Sequence, residues 1–314
     1  MTFAALFPGQ LSEKAGMGEA LAAHDYVGRF YEEVRVRSGV DVAATFFGAG
    51  SPQLHDDLPA QVGVFAVSLA ALDVLEREHG VRPEAAAGYS LGTYAAFVAA
   101  GALDRWAALE VVLELERLLR DEPVAGQMGY VIGLVRERLD ALLLEVSGDP
   151  AVLSVGNENA AQQFVLTGEP WAVEAAIGKA RPLALRAELL PIGWPMHSAR
   201  LSGLCDRLAA FVARNVTVRA PERAALYAPM LAGRVHDAAT AAEVLARQVS
   251  RPSRWEAMLR AMHADGLTRF AEVGPGDVLA KLTRWTLRTV RVLPAEDPQS
   301  LAALSGRPAL ERIA

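Results

Sequence analysis

Glu84-Ala-Ala-Ala-Gly-Tyr-Ser-Leu-Gly-Thr-Tyr-Ala-Ala-Phe97 is the stretch on which the reading of this chain turns. Three small apolar residues lead into Gly88-Tyr-Ser-Leu-Gly92, and a helical run follows. This is G-x-S-x-G placed where a buried strand turns sharply into a helix. A serine on so tight a turn sits in a strained backbone conformation, and the flanking glycines let strand and helix approach closely. Its hydroxyl stands at the helix start, where unpaired N–H groups and the helix dipole favour developing negative charge. The five-residue pattern alone fits an ordinary strand–turn–helix connection as well as a reactive serine. The rest of the chain has to decide between them.

Working outward, residues 82–89 read as the strand into the turn and 91–100 as the helix out of it. Gly101 caps that helix, and 104–120 is a second, amphipathic one. Upstream, the apolar run 2–7 is stopped by Pro8-Gly9 and predicts a buried strand; 17–23 and 26–38 predict helices. Residues 61–78 carry Val62, Phe65, Ala66, Leu69, Leu72 and Leu75 near helical spacing, which predicts a core helix. The character changes near residues 121–126. Strands at 128–134, 152–155, 163–167 and 184–191 then alternate with helices at 136–146 and 171–179. That β-α-β-β-α-β order predicts a small inserted ferredoxin-like domain. After Pro191 helices at 201–215, 241–249, 254–264 and 278–287 accompany strands at 225–227, 268–273 and 290–293, and the tail after Glu296 is expected to be surface or frayed. The expected class is α/β, with a large domain in two parts, 1–124 and 193–314, around an insert at 125–192.

Composition narrows the function. The 314 residues suffice for one large core or two unequal ones. Net charge is −6 with scattered arginines, so no electrostatic case exists for nucleic acid. The lone cysteine, Cys205, excludes internal disulfides and argues for a reducing compartment; a buried spectator thiol is expected. The N-terminus lacks a basic region and meets Pro8 too early for a signal peptide, and no apolar run approaches a membrane span. A soluble, cytoplasmic protein is expected, with a monomer as the default.

A serine alcohol is a poor nucleophile until a base takes its proton. Of six histidines, His24, His55, His79, His236 and His263 fall on exposed-looking helices or turns and read as solvated. His197 differs. It lies in Leu190-Pro-Ile-Gly-Trp-Pro-Met-His-Ser-Ala199, a strand end where the chain re-enters the large domain, and a domain junction is a usual place for a site.

Seven motifs now stand in order: Phe7-Pro-Gly-Gln10, Gln61 at a helix head, Gly88-Tyr-Ser-Leu-Gly92, Asn157-Glu-Asn159 with Gln163, Pro195-Met-His-Ser198, Gln248 with Pro252 and Trp255, and Gly274-Pro-Gly276. Over nearly the whole chain this resembles malonyl-CoA:acyl-carrier-protein transacylases and the acyltransferase domains of polyketide and fatty-acid synthases. The resemblance implies an α/β-hydrolase-like large domain, a ferredoxin-like insert and a site between them. It implies Ser90 as nucleophile and His197 as base, the imidazole oriented by a backbone carbonyl near Gln248. It also implies an oxyanion hole from the N–H groups of Gln10 and Leu91, with Gln61, Gln248 and Asn159 in support. The implied chemistry is ping-pong transfer of an acyl group from a CoA or carrier-protein thioester, through an acyl-serine, to the phosphopantetheine thiol of an acyl carrier protein. No metal or redox cofactor is implied.

The departures bear on substrate. Malonyl-type members place an arginine 25 residues after the serine to pair with the malonyl carboxylate; here that place holds Leu115, between Glu114 and Glu116. Arg117, two positions on, points to nearly the opposite helix face, unless Arg117 or Arg120 reaches in by a local distortion. The usual histidine before the serine is Tyr89, the usual elbow glutamate is Thr93, and Leu11 replaces a glycine in the oxyanion loop. Leu115, Trp194, Met196 and Tyr89 together suggest a pocket for an uncharged acyl group, although Trp194 equally suits packing at the domain interface. The main expectation is therefore a serine acyltransferase with a non-malonyl acyl group. The alternatives are a hydrolase clearing stalled acyl groups from carriers, an ordinary malonyl transacylase, and a non-catalytic docking protein. Carrier proteins are acidic, so docking needs a local basic patch; Arg251, Arg254, Arg284 and Arg288 are the candidates, with a plain solvated face as the alternative.

Overall fold

The computed structural model describes residues 2–121 and 123–305. The chain runs β1 (Ala4–Phe7), α1 (Asp25–Ser38), α2 (Val42–Phe46), α3 (Asp57–His79), β2 (Ala85–Gly88), α4 (Gly92–Ala99) and α5 (Arg105–Asp121). There follow β3 (Gln127–Ile132), α6 (Arg136–Val146), β4 (Leu153–Ala160), β5 (Gln163–Gly168), α7 (Pro170–Ala180) and β6 (Arg186–Leu189). The last part holds α8 (Ser202–Asn215), β7 (Ala225–Ala228), β8 (Gly233–Val235), α9 (Ala238–Arg247), α10 (Trp255–Ala264), β9 (Arg269–Val273), α11 (Val278–Thr286), β10 (Arg291–Ala295) and α12 (Pro298–Leu304).

Two sheets result. The larger has the order β10-β9-β1-β2-β7-β8, parallel except for the short β8 edge. Its centre, β1 and β2, is buried at every residue, as expected of parallel strands covered on both faces. The β2 side chains, Ala85–Ala87, are small, and α4 lies directly on that strand. A β-carbon on Gly92 would stand 2.0 Å from the Phe7 carbonyl oxygen, and one on Gly88 would stand 2.1 Å from the backbone of Gly92 and Thr93. Phe7 pairs with Gly88 in register, and the Tyr89 N–H donates to the Phe7 carbonyl. The loop after β1 and the turn after β2 therefore emerge side by side at the carboxyl ends of the strands, where open α/β sheets place their ligands.

The smaller sheet is antiparallel, ordered β4-β5-β3-β6, with α6 and α7 packed on an apolar face that includes Val131, Leu139, Leu166 and Val173. β4 is longer than the predicted 152–155. It continues through Asn157-Glu-Asn159 with two register shifts, which re-aim those side chains. Exchange of backbone hydrogen bonds between residues 156–158 and Ser253 ties this sheet to the segment before α10.

Other expectations need correction. Residues 17–23 are turns and a short 3-10 helix over Ala20–Ala23 rather than an α-helix, because Gly16 and Gly18 take left-handed backbones. The start of the tail is ordered. Asp297 forms a capping box for α12, and Leu301 and Leu304 are buried; residues 306–314 lie outside the described residues. Contrary to the expectation of no such run, α3 is apolar and long enough to cross a membrane. Its most apolar window is 83% buried inside the protein, so it serves here as the central core helix.

The close approach at Gly92 gives a stability test. Gly92→Ala should lower unfolding free energy by about 3 kcal/mol or more, since backbone rather than a flexible side chain must move. Gly28→Ala, on an exposed helical site with open space around it, should raise it by about 0.4–1 kcal/mol. Urea denaturation of the two variants checks both signs.

Candidate active site

Four described non-glycine residues have left-handed backbones, and three of them, Leu11 (φ 72°), Ser90 (φ 51°) and His197 (φ 61°), line one cleft. Such conformations persist only where surrounding structure enforces them, and they collect at functional sites. At Ser90 the enforcement is the packing of β2 against α4. The Oγ is thereby raised above the sheet end and meets the imidazole of His197, 107 residues away in sequence, at 3.0 Å from Nε2.

The protonation pattern of that imidazole follows from its partners. Nδ1 faces two carbonyl oxygens, Gln248 at 3.0 Å and Arg251 at 3.3 Å. Carbonyls only accept, so Nδ1 carries the hydrogen and Nε2 offers its lone pair to the Ser90 hydroxyl. The same segment fixes both residues further. The His197 N–H donates to the Val249 carbonyl, and Gln248 Nε2 donates to the Ser90 carbonyl at 3.3 Å. His197 is only 3% exposed, and burial pushes its pKa below the ordinary histidine value, against the opposing pull of the two carbonyls. The ring is therefore neutral and able to accept a proton at pH 7.

Next to the hydroxyl lie two unused donors. Leu91 is the N-cap of α4, so its N–H has no intrahelical acceptor, and Gln10 sits in the loop after β1. Among the described residues no acceptor meets either N–H. The cleft, of about 210 Å³, runs between the 9–12 loop, the small sheet and α11. Its walls are mostly apolar, from Met128, Val165, Met196, Val278, Leu279 and Leu282, with Asn157, Asn159, Gln163 and Tyr89 supplying polar groups. The Tyr89 hydroxyl donates to Asn159 Oδ1 at 2.9 Å, its ring stands edge-on to Trp255, and burial pushes its pKa up to about 12. Among the described residues no three His, Cys, Asp or Glu side chains converge as metal ligands.

Not every expected residue reaches the cleft. Leu115 does not line it; it is 2% exposed, in the apolar stripe of α5 that packs into the main core. Trp194 packs against that core from the side, which favours the packing alternative for it. Gln61 is buried and donates to Glu116 Oε2 at 3.0 Å, and neither residue lines the cleft. Arg117 points outward, held by Glu114 and Asp121, and Arg120 is largely exposed, 3.6 Å from Glu116. Neither reaches in. Arg284 and Arg288 share a shallow hollow with Lys281 and Trp285 on the outer side of α11; Arg251 and Arg254 are exposed elsewhere, though the Arg251 carbonyl serves His197. Sequence reasoning missed the cleft walls on β3 and α11. The signal there was faint, since Met128 and Tyr130 alternate on a strand and Val278 begins a helix, patterns that fit ordinary core.

Compared with known proteins, residues 4–307 match the acyl transferase domain family. The chain belongs to that family. It is 31% identical over 306 residues to the malonyl CoA-acyl carrier protein transacylase of Salmonella typhimurium, covering 96% of this chain and 98% of that one. Among solved structures, it resembles an acyl-carrier-protein S-malonyltransferase of Burkholderia pseudomallei with a TM-score of 0.90 at 31% identity, over 98% of this chain and 100% of the other. A complex of a type II polyketide-synthase acyl-carrier protein with its malonyl-transacylase matches with a TM-score of 0.90 at 30% identity, again over 98% and 100%. This acyl transferase is accordingly an enzyme of acyl transfer.

The tautomer is directly measurable. In ¹⁵N NMR of the imidazole, His197 should hold its hydrogen on Nδ1 at pH 7 and protonate with a midpoint below 6.5. A midpoint above that value, or an Nε2–H tautomer, would contradict the geometry described.

Proposed function

We propose that the protein transfers an acyl group from a thioester to the phosphopantetheine thiol of an acyl carrier protein, through an ester at Ser90. The observation that carries this is the 3.0 Å contact from Ser90 Oγ to a buried, Nδ1-protonated His197, beside the free N–H groups of Gln10 and Leu91. His197 Nε2 takes the hydroxyl proton as Oγ attacks the thioester carbonyl. The oxyanion that forms lies against the two N–H groups, each such donor typically worth roughly 10²–10³ in rate. Collapse expels the thiol, which takes the proton back from Nε2. The carrier thiol then repeats the sequence on the ester, giving its proton to Nε2, and free Ser90 is restored. The reaction as proposed uses side chains and backbone donors alone. Soluble, cytoplasmic material is the setting we propose, with a monomer as the working unit. Strand order supports the division into a hydrolase-like large part, 1–124 and 193–314, and a ferredoxin-like insert, 125–192.

The acyl group has two readings. The relatives are malonyl transacylases, which favours malonyl over the non-malonyl group expected from the sequence. A second reading, an uncharged group, rests on charge. No Lys or Arg lines the cleft among the described residues, and behind the Gln10 loop stand Asp57 and the buried Glu116, whose pKa is raised by burial and then by Asp57. A malonyl carboxylate in the cleft meets no lining cation, and the acids near the Gln10 side chain add negative charge outside the lining.

Intact-mass kinetics with malonyl-CoA and butyryl-CoA separate these readings. We expect a Ser90 ester that persists in buffer and is discharged by a holo carrier protein. Ser90→Ala should form none, and His197→Ala should slow acylation about 10²–10⁴-fold. Acylation should fall as pH drops through the His197 midpoint below 6.5 and stay level above pH 7. Prompt hydrolysis in buffer would turn the reading to a hydrolase.

Carrier docking is proposed at the hollow of Lys281, Arg284 and Trp285 on α11 and Arg288 just after it, the other face of that helix lining the cleft. Reversing charge at Arg284 and Arg288 together should raise the carrier KM several-fold, leave acylation from CoA unchanged, and weaken as salt rises. Steady-state kinetics at two ionic strengths check this.

A further inference from the structure

The loop after β1 is unusual in how it is held. Leu11 takes a left-handed backbone despite its β-carbon, and the residue is 40% exposed at the cleft wall. Left to itself such a residue relaxes. Behind it lies the carboxylate of Glu13, whose side chain is only 1% exposed. One carboxylate oxygen, Oε2, accepts the Leu11 N–H at 2.7 Å; the other, Oε1, is 3.2 Å from His55 Nδ1, on a ring that is 70% exposed. One residue earlier, Gln10 Nε2 donates to Asp57 Oδ1 at 2.9 Å. Residues 10, 11 and 13 are thus tied by side chains to residues 55 and 57, where α3 begins. That helix is the buried centre of the large core and supplies a fixed point.

We propose that Glu13 is a positioning residue for the acyl-transfer reaction. By accepting the Leu11 N–H it holds Leu11 left-handed, and so keeps the adjoining Gln10 N–H aimed at the carbonyl oxygen of a thioester at Ser90. A hydrogen bond to a carboxylate is stronger than one to a neutral acceptor, and burial keeps water from competing for it. His55 and Asp57 complete a clasp from the solvent side. The proposal rests on the Gln10 role given above.

Two readouts test it on the whole protein. Hydrogen exchange at the Leu11 N–H reports the clasp itself, and the single-turnover rate of Ser90 acylation, against donor concentration, reports its consequence. In E13A the Leu11 N–H should exchange freely. The limiting acylation rate should fall at least about tenfold, approaching the loss of one oxyanion donor, with the donor's half-saturation unchanged. Adding L11G, which adopts the left-handed backbone without being held, should restore the rate. E13Q, whose amide oxygen still accepts the N–H, should recover most of it. E13M keeps the side-chain volume without an acceptor and gives the same reading where E13A fails to fold. Wild-type exchange and acylation in these acceptor-free variants, or no rescue by L11G, would overturn the proposal. A wild-type protein that forms no ester at Ser90 would overturn the acyl-transfer reading instead, while Leu11 exchange would still decide whether the clasp exists.

Discussion

The close packing of α4 on β1 and β2 is the constraint from which the site follows. With no β-carbon at Gly88 or Gly92, backbone meets backbone, and Ser90, midway between them, takes a left-handed conformation. That conformation lifts the Ser90 hydroxyl clear of the sheet and leaves the Leu91 N–H unpaired at a helix start. The same packing brings the loop after β1 alongside, because Phe7 and Gly88 are paired in register. The proposed nucleophile and oxyanion donors are thus consequences of one contact rather than separate features.

The proposed base, His197, comes from elsewhere, and its placement depends on the 248–251 segment. Two carbonyls there settle the tautomer of His197 and its ring orientation, a task often given to a carboxylate. A neutral carbonyl leaves the imidazole less basic than an anion would, and burial lowers its basicity further. The ring is then unprotonated at pH 7, the state needed to accept the serine proton. Ser253 also bonds to β4, so the segment that orients the histidine anchors the small sheet beside the cleft.

Much of this was legible in the sequence. The elbow was readable because small residues and glycines at fixed spacing have a direct steric meaning, and the β-α-β-β-α-β order was readable from alternating periods. The elements that were lost are short or locally conflicted. β8 spans three residues, and residues 17–23 look helical by composition, although Gly18 within them and Gly16 just before take left-handed backbones. The tail helix α12 was missed although Asp297 and Pro298 mark its start. Pocket walls were the least legible. The resemblance puts Leu115 there, at the place of the family's arginine, but the apolar stripe of α5 buries it in the core instead. Side chains that wall a cleft obey the same patterns as side chains that fill a core, so only the fold separates them.

In the proposed reaction Ser90, His197 and two backbone N–H groups act on one carbonyl. A crystal structure of the acyl-enzyme, trapped with a slowly turned-over thioester, tests it most directly. The expected result is an ester at Ser90 Oγ with its carbonyl oxygen about 2.7–3.1 Å from both the Gln10 and Leu91 nitrogens, and His197 Nε2 facing the path of the incoming thiol. An ester oxygen turned away from those nitrogens, or an acyl group on a different residue, would contradict it.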